Sequence, residues 1–234
     1  MTLELMRGAL IVSCQAPPGS PLRAPAHMAA MAQAAMAGGA RGIRAEGAAD
    51  IEAITRAVEL PVIGLRKQAL AGTDVSITPT LQSAADVVAA GAAMLAVDAT
   101  LRPRHDGISS DAFIRCLNRE LGVPVLADVD TLEAGVRARE AGAAAVATTL
   151  SGYTGPGGPP EGPDLELVAA LAARLDCPVV AEGRYALPEQ VRAAFATGAF
   201  AVVVGTAITN PLALTQRFAA GTPIADGGLV RDSA

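Results

Sequence analysis

Cysteine and histidine are scarce: 234 residues carry three of the first, Cys14, Cys116 and Cys177, and two of the second, His27 and His105. An odd, widely spaced set of thiols fits neither a disulfide framework nor a metal cluster, and so few histidines argue against a zinc site. Lys and Arg never gather into a run and the net charge is −5, so the electrostatic footprint of nucleic-acid binding is missing. Although 51% of residues are hydrophobic, no apolar stretch is long and unbroken enough to span a bilayer. The start, MTLELMRGALIVSC, carries Glu4 and lacks the basic opening and cleavage site of a secretory signal. These absences describe a soluble, cytoplasmic protein without nucleic-acid or membrane partners. An anionic small-molecule substrate would have to be held by backbone N–H groups and one or two cations.

What is present is an alternation. Short β-branched runs at Ala9–Cys14, Gly42–Ala45, Val62–Leu65, Met94–Asp98, Val125–Asp128, Ala144–Thr149, Val179–Glu182 and Phe200–Val204 are mostly apolar rather than alternating, as strands covered on both faces are. Alanine-rich helical patterns separate them: Met28–Met36, Ile51–Val58, Ala84–Ala89, Asp111–Glu120, Leu132–Arg139, Leu165–Leu175, Pro188–Ala196 and Leu212–Phe218. Pro188 and Pro211 suit first helical turns. Gly38, Gly91, Gly142 and Gly198 follow helices, where a left-handed residue is needed. Pro61, Pro124 and Pro178 open strands that need no donor there. The length is close to the ~250 residues typical of one (β/α)₈ TIM barrel, and eight βα units predict that fold over residues 1–221. An open doubly wound sheet stays possible at this point, because alternation alone does not prove closure. The longest loops are expected after strands one and six, at Ala16–Pro25 and Ser151–Pro163, and Thr222–Ala234 reads as a tail.

A barrel interior is a packed apolar core, so polar residues at the C-terminal strand ends need an account. Nearly every strand supplies some: Ser13 and Gln15, Arg44 and Glu46, Lys67, Asp98 and Thr100, Asp128 and Asp130, Thr148 and Thr149, Glu182 and Arg184, Gly205 and Thr206. Any one could be a solvated loop residue; all on one rim point to a functional cluster. Glu182 directly follows an apolar strand, where partial desolvation raises a carboxylate's proton affinity. Lys67 could simply snorkel. Together, a lysine and a carboxylate can supply acid and base for enolisation. Gly183, Arg184, Gly205 and Thr206 lie after strands seven and eight, where barrels commonly seat a phosphate. Cys14 reads as a packing residue, Met28, Met31 and Met36 as core, and neither histidine receives a role.

Several segments are specific: "LIVSCQ" at 10–15, "IRAEG" at 43–47, "PVIGLRK" at 61–67, "VDATLRPR" at 97–104, "ADVDT" at 127–131, "TTLSGYT" at 148–154, "VAEGRYALPEQ" at 180–190 and "VVGTAIT" at 203–209. In order and spacing they resemble the N-acetylmannosamine-6-phosphate 2-epimerase family from about Leu10 to Phe218. The resemblance implies a (β/α)₈ barrel, without metal or organic cofactor, that interconverts N-acetylmannosamine 6-phosphate and N-acetylglucosamine 6-phosphate in sialic acid breakdown. It further implies catalytic roles for Lys67 and Glu182 and substrate contacts for Gln15, Arg44 and Asp128. It places phosphate contacts at Gly183, Arg184, Gly205 and Thr206. The chain departs from the family pattern at Asn210, where an arginine is common; Arg184 is the substitute cation the sequence offers. The residues alone also admit another sugar-phosphate barrel isomerase or synthase, or a non-catalytic amino-sugar-phosphate sensor. A homodimer is a further expectation, with no feature fixing its interface.

Overall fold

The computed structural model describes residues 3–223. Eight parallel strands, β1 (Leu10–Cys14), β2 (Gly42–Glu46), β3 (Val62–Leu65), β4 (Met94–Asp98), β5 (Val125–Asp128), β6 (Ala145–Ala147), β7 (Val179–Glu182) and β8 (Ala201–Val204), follow one another around a closed barrel. Closure comes from β8 lying beside β1, with Leu10 opposite Val202 and Val12 opposite Val204. The open sheet is therefore excluded. Helices α1 (Pro25–Ala37), α2 (Ala48–Ala57), α3 (Leu81–Ala89), α4 (Ser110–Leu121), α5 (Leu132–Glu140), α6 (Leu165–Arg174) and α7 (Pro188–Ala196) link successive strands. A single turn α8 (Thr206–Thr209) and helix α9 (Pro211–Ala219) end the described chain. Of the expected tail, all but residues 222 and 223 lies outside the described residues. Among the described residues, no helix is long and apolar enough to cross a membrane.

Alternate strand residues point to opposite faces, and this sorts the core into two shells. Ile11, Ile63, Leu126, Val180 and Val203 fill the barrel interior, while Val12, Ile43, Ala127, Ala181 and Val202 pack outward beneath the helices. A short 3₁₀ turn, Leu3–Met6, closes the N-terminal end of the barrel with Met6, an element that no sequence pattern predicted. Cys14 is completely buried in the outer shell. Burial pushes its thiol up to about 12, so it stays protonated and packs.

Two expectations need correction. The left-handed residue after α1 is Gly39 (φ 99°), not Gly38 (φ −77°), which still continues the helical turn; Gly91, Gly142 and Gly198 do take the left-handed conformation. The longest loops follow β6 and β3, not β1: residues 66–80 make a hairpin-like excursion between β3 and α3. A backbone bridge between Lys67 and Ile77 forms it, a pairing that a search for alternating helices and strands passes over.

Gly64 shows why one position must lack a side chain. A Cβ there would lie 2.6 Å from both Val87 Cγ1 and Ala92 Cβ, so α3 could not approach β3. Gly64→Ala is expected to destabilise the barrel by about 1–3 kcal/mol, the ordinary cost of overpacking, read as a lower urea midpoint. An unchanged midpoint would mean α3 shifts freely.

Candidate active site

The inner-face alternation that places Leu126 and Val180 in the interior carries Arg44, Asp128 and Glu182 to the C-terminal end of the same space. Arg44 and Asp128 are wholly buried and bidentate: Nη1 donates to Oδ1 at 3.0 Å and Nη2 to Oδ2 at 2.5 Å. The Thr149 hydroxyl donates to the same Oδ1 at 2.7 Å. Burial alone would favour loss of the guanidinium proton, but Asp128 and then Glu182 outweigh it, so Arg44 stays charged. The pair is neutral as a unit, the form in which buried charge is tolerated.

Glu182 is differently placed. Its Oε2 lies 2.9 Å from Arg44 Nη1, yet the geometry is not that of a hydrogen bond and Oε2 is sealed without a partner. Desolvation is the main reason its carboxyl is pushed up to about 7; Arg44 opposes the rise and Asp128 adds to it. The side chain remains 13% exposed. Its backbone is fixed by Thr148, whose buried hydroxyl accepts from Glu182 N–H at 3.0 Å and donates to Glu182 C=O at 2.9 Å.

Lys67 enters from the 66–80 hairpin at the rim. The residue as a whole is exposed, while the protein around the amine desolvates it. That desolvation, followed by the charge of Arg44, holds the ammonium below the usual lysine value; Glu46, Glu182 and Asp128 pull the other way. Its backbone N–H reaches Glu46 Oε1 at 3.3 Å, and Glu46 also pairs with Arg23 of the β1–α1 loop at 3.7 Å. The sequence carries a further signal for it: of 18 Lys and Arg residues, Lys67 is the only lysine. Arginine cannot give up its proton near neutrality, so a single lysine among arginines marks the one of those 18 side chains able to exchange a proton.

The remaining candidates lie on the same rim. Gln15, half-buried, donates to the Ser13 hydroxyl at 2.9 Å, and Ser13 closely approaches Gly205. Gly183 (φ 115°) and Arg184 (φ 60°) turn the chain sharply after β7. Among the described residues, the backbone N–H groups of Gly183, Arg184, Gly205 and Thr206 have no backbone acceptor, and turned amides of this kind form anion-binding concavities. The Arg184 side chain is largely committed elsewhere. Its Nε and Nη1 each donate at 2.5 Å to the carbonyls of Gly162 and Ser151, and Tyr153 lies 5.4 Å away, ring to guanidinium. Asn210 caps α9, its Oδ1 accepting from Ala213 N–H at 3.1 Å. The place where an arginine was expected is thus occupied by a helix cap. Asp98, opposite Asp128 in the β4–β5 ladder, is neutralised by Arg102 at 2.6 Å and bonded to Thr100.

The family model described as "Putative N-acetylmannosamine-6-phosphate epimerase" matches residues 28–223. The chain belongs to that epimerase family. Membership makes it an enzyme of the isomerase class. Relatives named "Putative N-acetylmannosamine-6-phosphate 2-epimerase" include one from Cutibacterium acnes, 49% identical over 91% of this chain and 93% of its own. Another, from Caldanaerobacter subterraneus, is 44% identical over 92% of each. The solved N-acetylmannosamine-6-phosphate 2-epimerase of Clostridium perfringens superposes with a TM-score of 0.89 at 38% identity, covering 94% of this chain and 95% of that one. A thiamine phosphate pyrophosphorylase from Pyrococcus furiosus, at 15% identity and a TM-score of 0.59, shares the fold alone.

Proposed function

We propose that the enzyme epimerises N-acetylmannosamine 6-phosphate to N-acetylglucosamine 6-phosphate at C2, without a cofactor, using Lys67 and Glu182 as its proton-transfer pair. The observation that carries this reading is the arrangement of those two groups: the chain's sole lysine and a carboxyl raised to about 7 act on one another across a barrel mouth anchored by Arg44–Asp128. In the open-chain sugar, C2–H is alpha to the C1 aldehyde. One group removes the proton, the carbonyl takes the electron pair as an enolate, and the other group returns a proton on the opposite face. With Oε2 turned to Arg44, the other Glu182 oxygen is the one that meets substrate. Gln15, Arg44 and Asp128 line the sugar end, and the free amides of Gly183, Arg184, Gly205 and Thr206 receive the phosphate.

The test is turnover of N-acetylmannosamine 6-phosphate by protein dialysed against a chelator. Full conversion to the equilibrium mixture supports the reading. Loss of turnover that a divalent metal restores would contradict its cofactor-free half, and no turnover under any condition would contradict the substrate.

Phosphate recognition through backbone amides has its own consequence. Charge-assisted hydrogen bonds are roughly twice as strong as neutral ones, so Asn210→Arg is expected to lower KM for the phosphorylated sugar while leaving kcat near its original value. An unchanged KM would mean that the amides already saturate the phosphate.

A further inference from the structure

The β3–β4 ladder pairs only Ile63 with Met94 and Gly64 with Leu95, whereas β2–β3 and β4–β5 each hold four pairs. Continued in the same register, its next bond would run from Arg66 N–H to Ala96 C=O. That bond is interrupted. Arg66 N–H donates instead to Thr78 Oγ1 at 3.1 Å, and the Thr78 hydroxyl donates onward to Ala96 C=O at 2.7 Å. A side-chain oxygen from the far arm of the 66–80 hairpin is thereby inserted between two barrel strands, immediately before Lys67.

Thr78 is fully buried and has φ 47°. A β-branched residue in the left-handed region is a genuine outlier, and such strain persists only where the surroundings over-determine it. Here they do. Thr78 N–H donates to Arg66 C=O at 2.7 Å, and Asp98 N–H donates to Ile77 C=O at 3.0 Å. The hairpin is thus tied to β4 through Thr78 and Ile77, and to β2 through Glu46. The barrel treats Glu182 alike: the β6–β7 ladder also holds two pairs, and the Thr148 hydroxyl occupies the gap beyond them.

We propose that Thr78 is a positioning residue for Lys67: its hydroxyl is a spacer that parts β3 from β4 where the chain leaves the barrel, and so sets where the Lys67 amine stands. The inference rests on Lys67 as a proton-transfer group. The charged groups facing that amine are Arg44 and Glu46 from β2, Asp128 from β5 and Glu182 from β7. If the hydroxyl is lost, Arg66 N–H and Ala96 C=O lose the group that joins them. The start of the hairpin is then no longer pinned to β4, the amine swings toward water and away from Arg44, and both causes that hold its proton affinity down weaken.

Because Lys67 is the only lysine, protein labelled with ¹³C,¹⁵N-lysine has one lysine side-chain signal, and its titration is read directly by NMR. Thr78→Val, which keeps the shape and removes the hydroxyl, is expected to move that titration up toward the ordinary lysine value. It should also lower kcat by about 10²-fold, the scale of an ångström-sized misplacement, with KM little changed. Thr78→Ser, which keeps the hydroxyl, is expected to match the parent in both. A Val variant with the parent's titration and kcat would overturn the proposal, as would a Ser variant shifted as far as Val. Should the Val protein not fold, Thr78→Gly, free of the left-handed strain, carries the same expectation and the same refutation. Failure of the catalytic reading is separate: it would show as turnover surviving in Lys67→Met, whatever Thr78 does.

Discussion

Glu182→Gln is expected to lower kcat by roughly 10²–10⁴-fold, the range for loss of a positioned acid–base group, and Lys67→Met by a similar factor. Glutamine keeps the shape and polarity of the side chain, so circular dichroism should be unchanged and the loss belongs to proton transfer. The pH profile adds a sharper expectation. In the proposed mechanism the active enzyme holds one proton on the Lys67–Glu182 pair, whichever group acts as base. The rate therefore falls below the Glu182 value of about 7 and above a Lys67 value displaced below the usual lysine range. The bell is the same for either assignment. An acid limb near the ordinary glutamate value of 4.5 would show that burial does not raise Glu182 as described.

Stability carries the same signature with opposite consequence. Folded Glu182 keeps its proton up to about 7, whereas an unfolded glutamate releases it near 4.5. The folded state thus binds more protons across that window, and its stability falls as pH rises through it. Glu182→Gln should flatten this slope in urea unfolding between those pH values.

Asp128→Ala is expected to cost about 3–5 kcal/mol, because removing one partner of a buried ion pair strands the other. Arg44 would keep its charge with only misaligned Glu182 beside it and would lose both aligned bonds. Asp128→Asn, which retains an acceptor, should cost less. It should also move the acid limb of the pH profile down, since the Asp128 charge is one of the causes raising Glu182. A thermal midpoint unchanged in the alanine protein would mean that Glu182 takes over the pair.

The strands were legible because each is a short β-branched run bounded by proline or glycine, and the structure moves their ends by no more than two residues. Closure was predicted from eight βα units and from the family resemblance, and the structure bears it out; alternation alone could not prove it, since the contact between β1 and β8 joins residues nearly two hundred positions apart. Glu182 was visible as a polar residue ending an apolar strand, whereas Lys67, two residues past β3, stood out only through the family resemblance. The threonine hydroxyls beside them were not: those of Thr78 and Thr148 sit in gaps of the ladders, and a buried threonine looks like any β-branched residue until the gap is seen. Arg184 shows the reverse limit. A cation beside a turn of unbonded backbone amides reads as a phosphate ligand, yet most of its guanidinium faces the carbonyls of the β6–α6 loop.

The central claim, proton exchange at C2 by Lys67 and Glu182, is tested most directly by proton NMR of N-acetylmannosamine 6-phosphate with the enzyme in D₂O. The gluco epimer should appear with deuterium at C2 for the parent enzyme, and neither Lys67→Met nor Glu182→Gln should form it. Epimer that keeps its original hydrogen at C2, or deuterated epimer from either variant, would contradict the account.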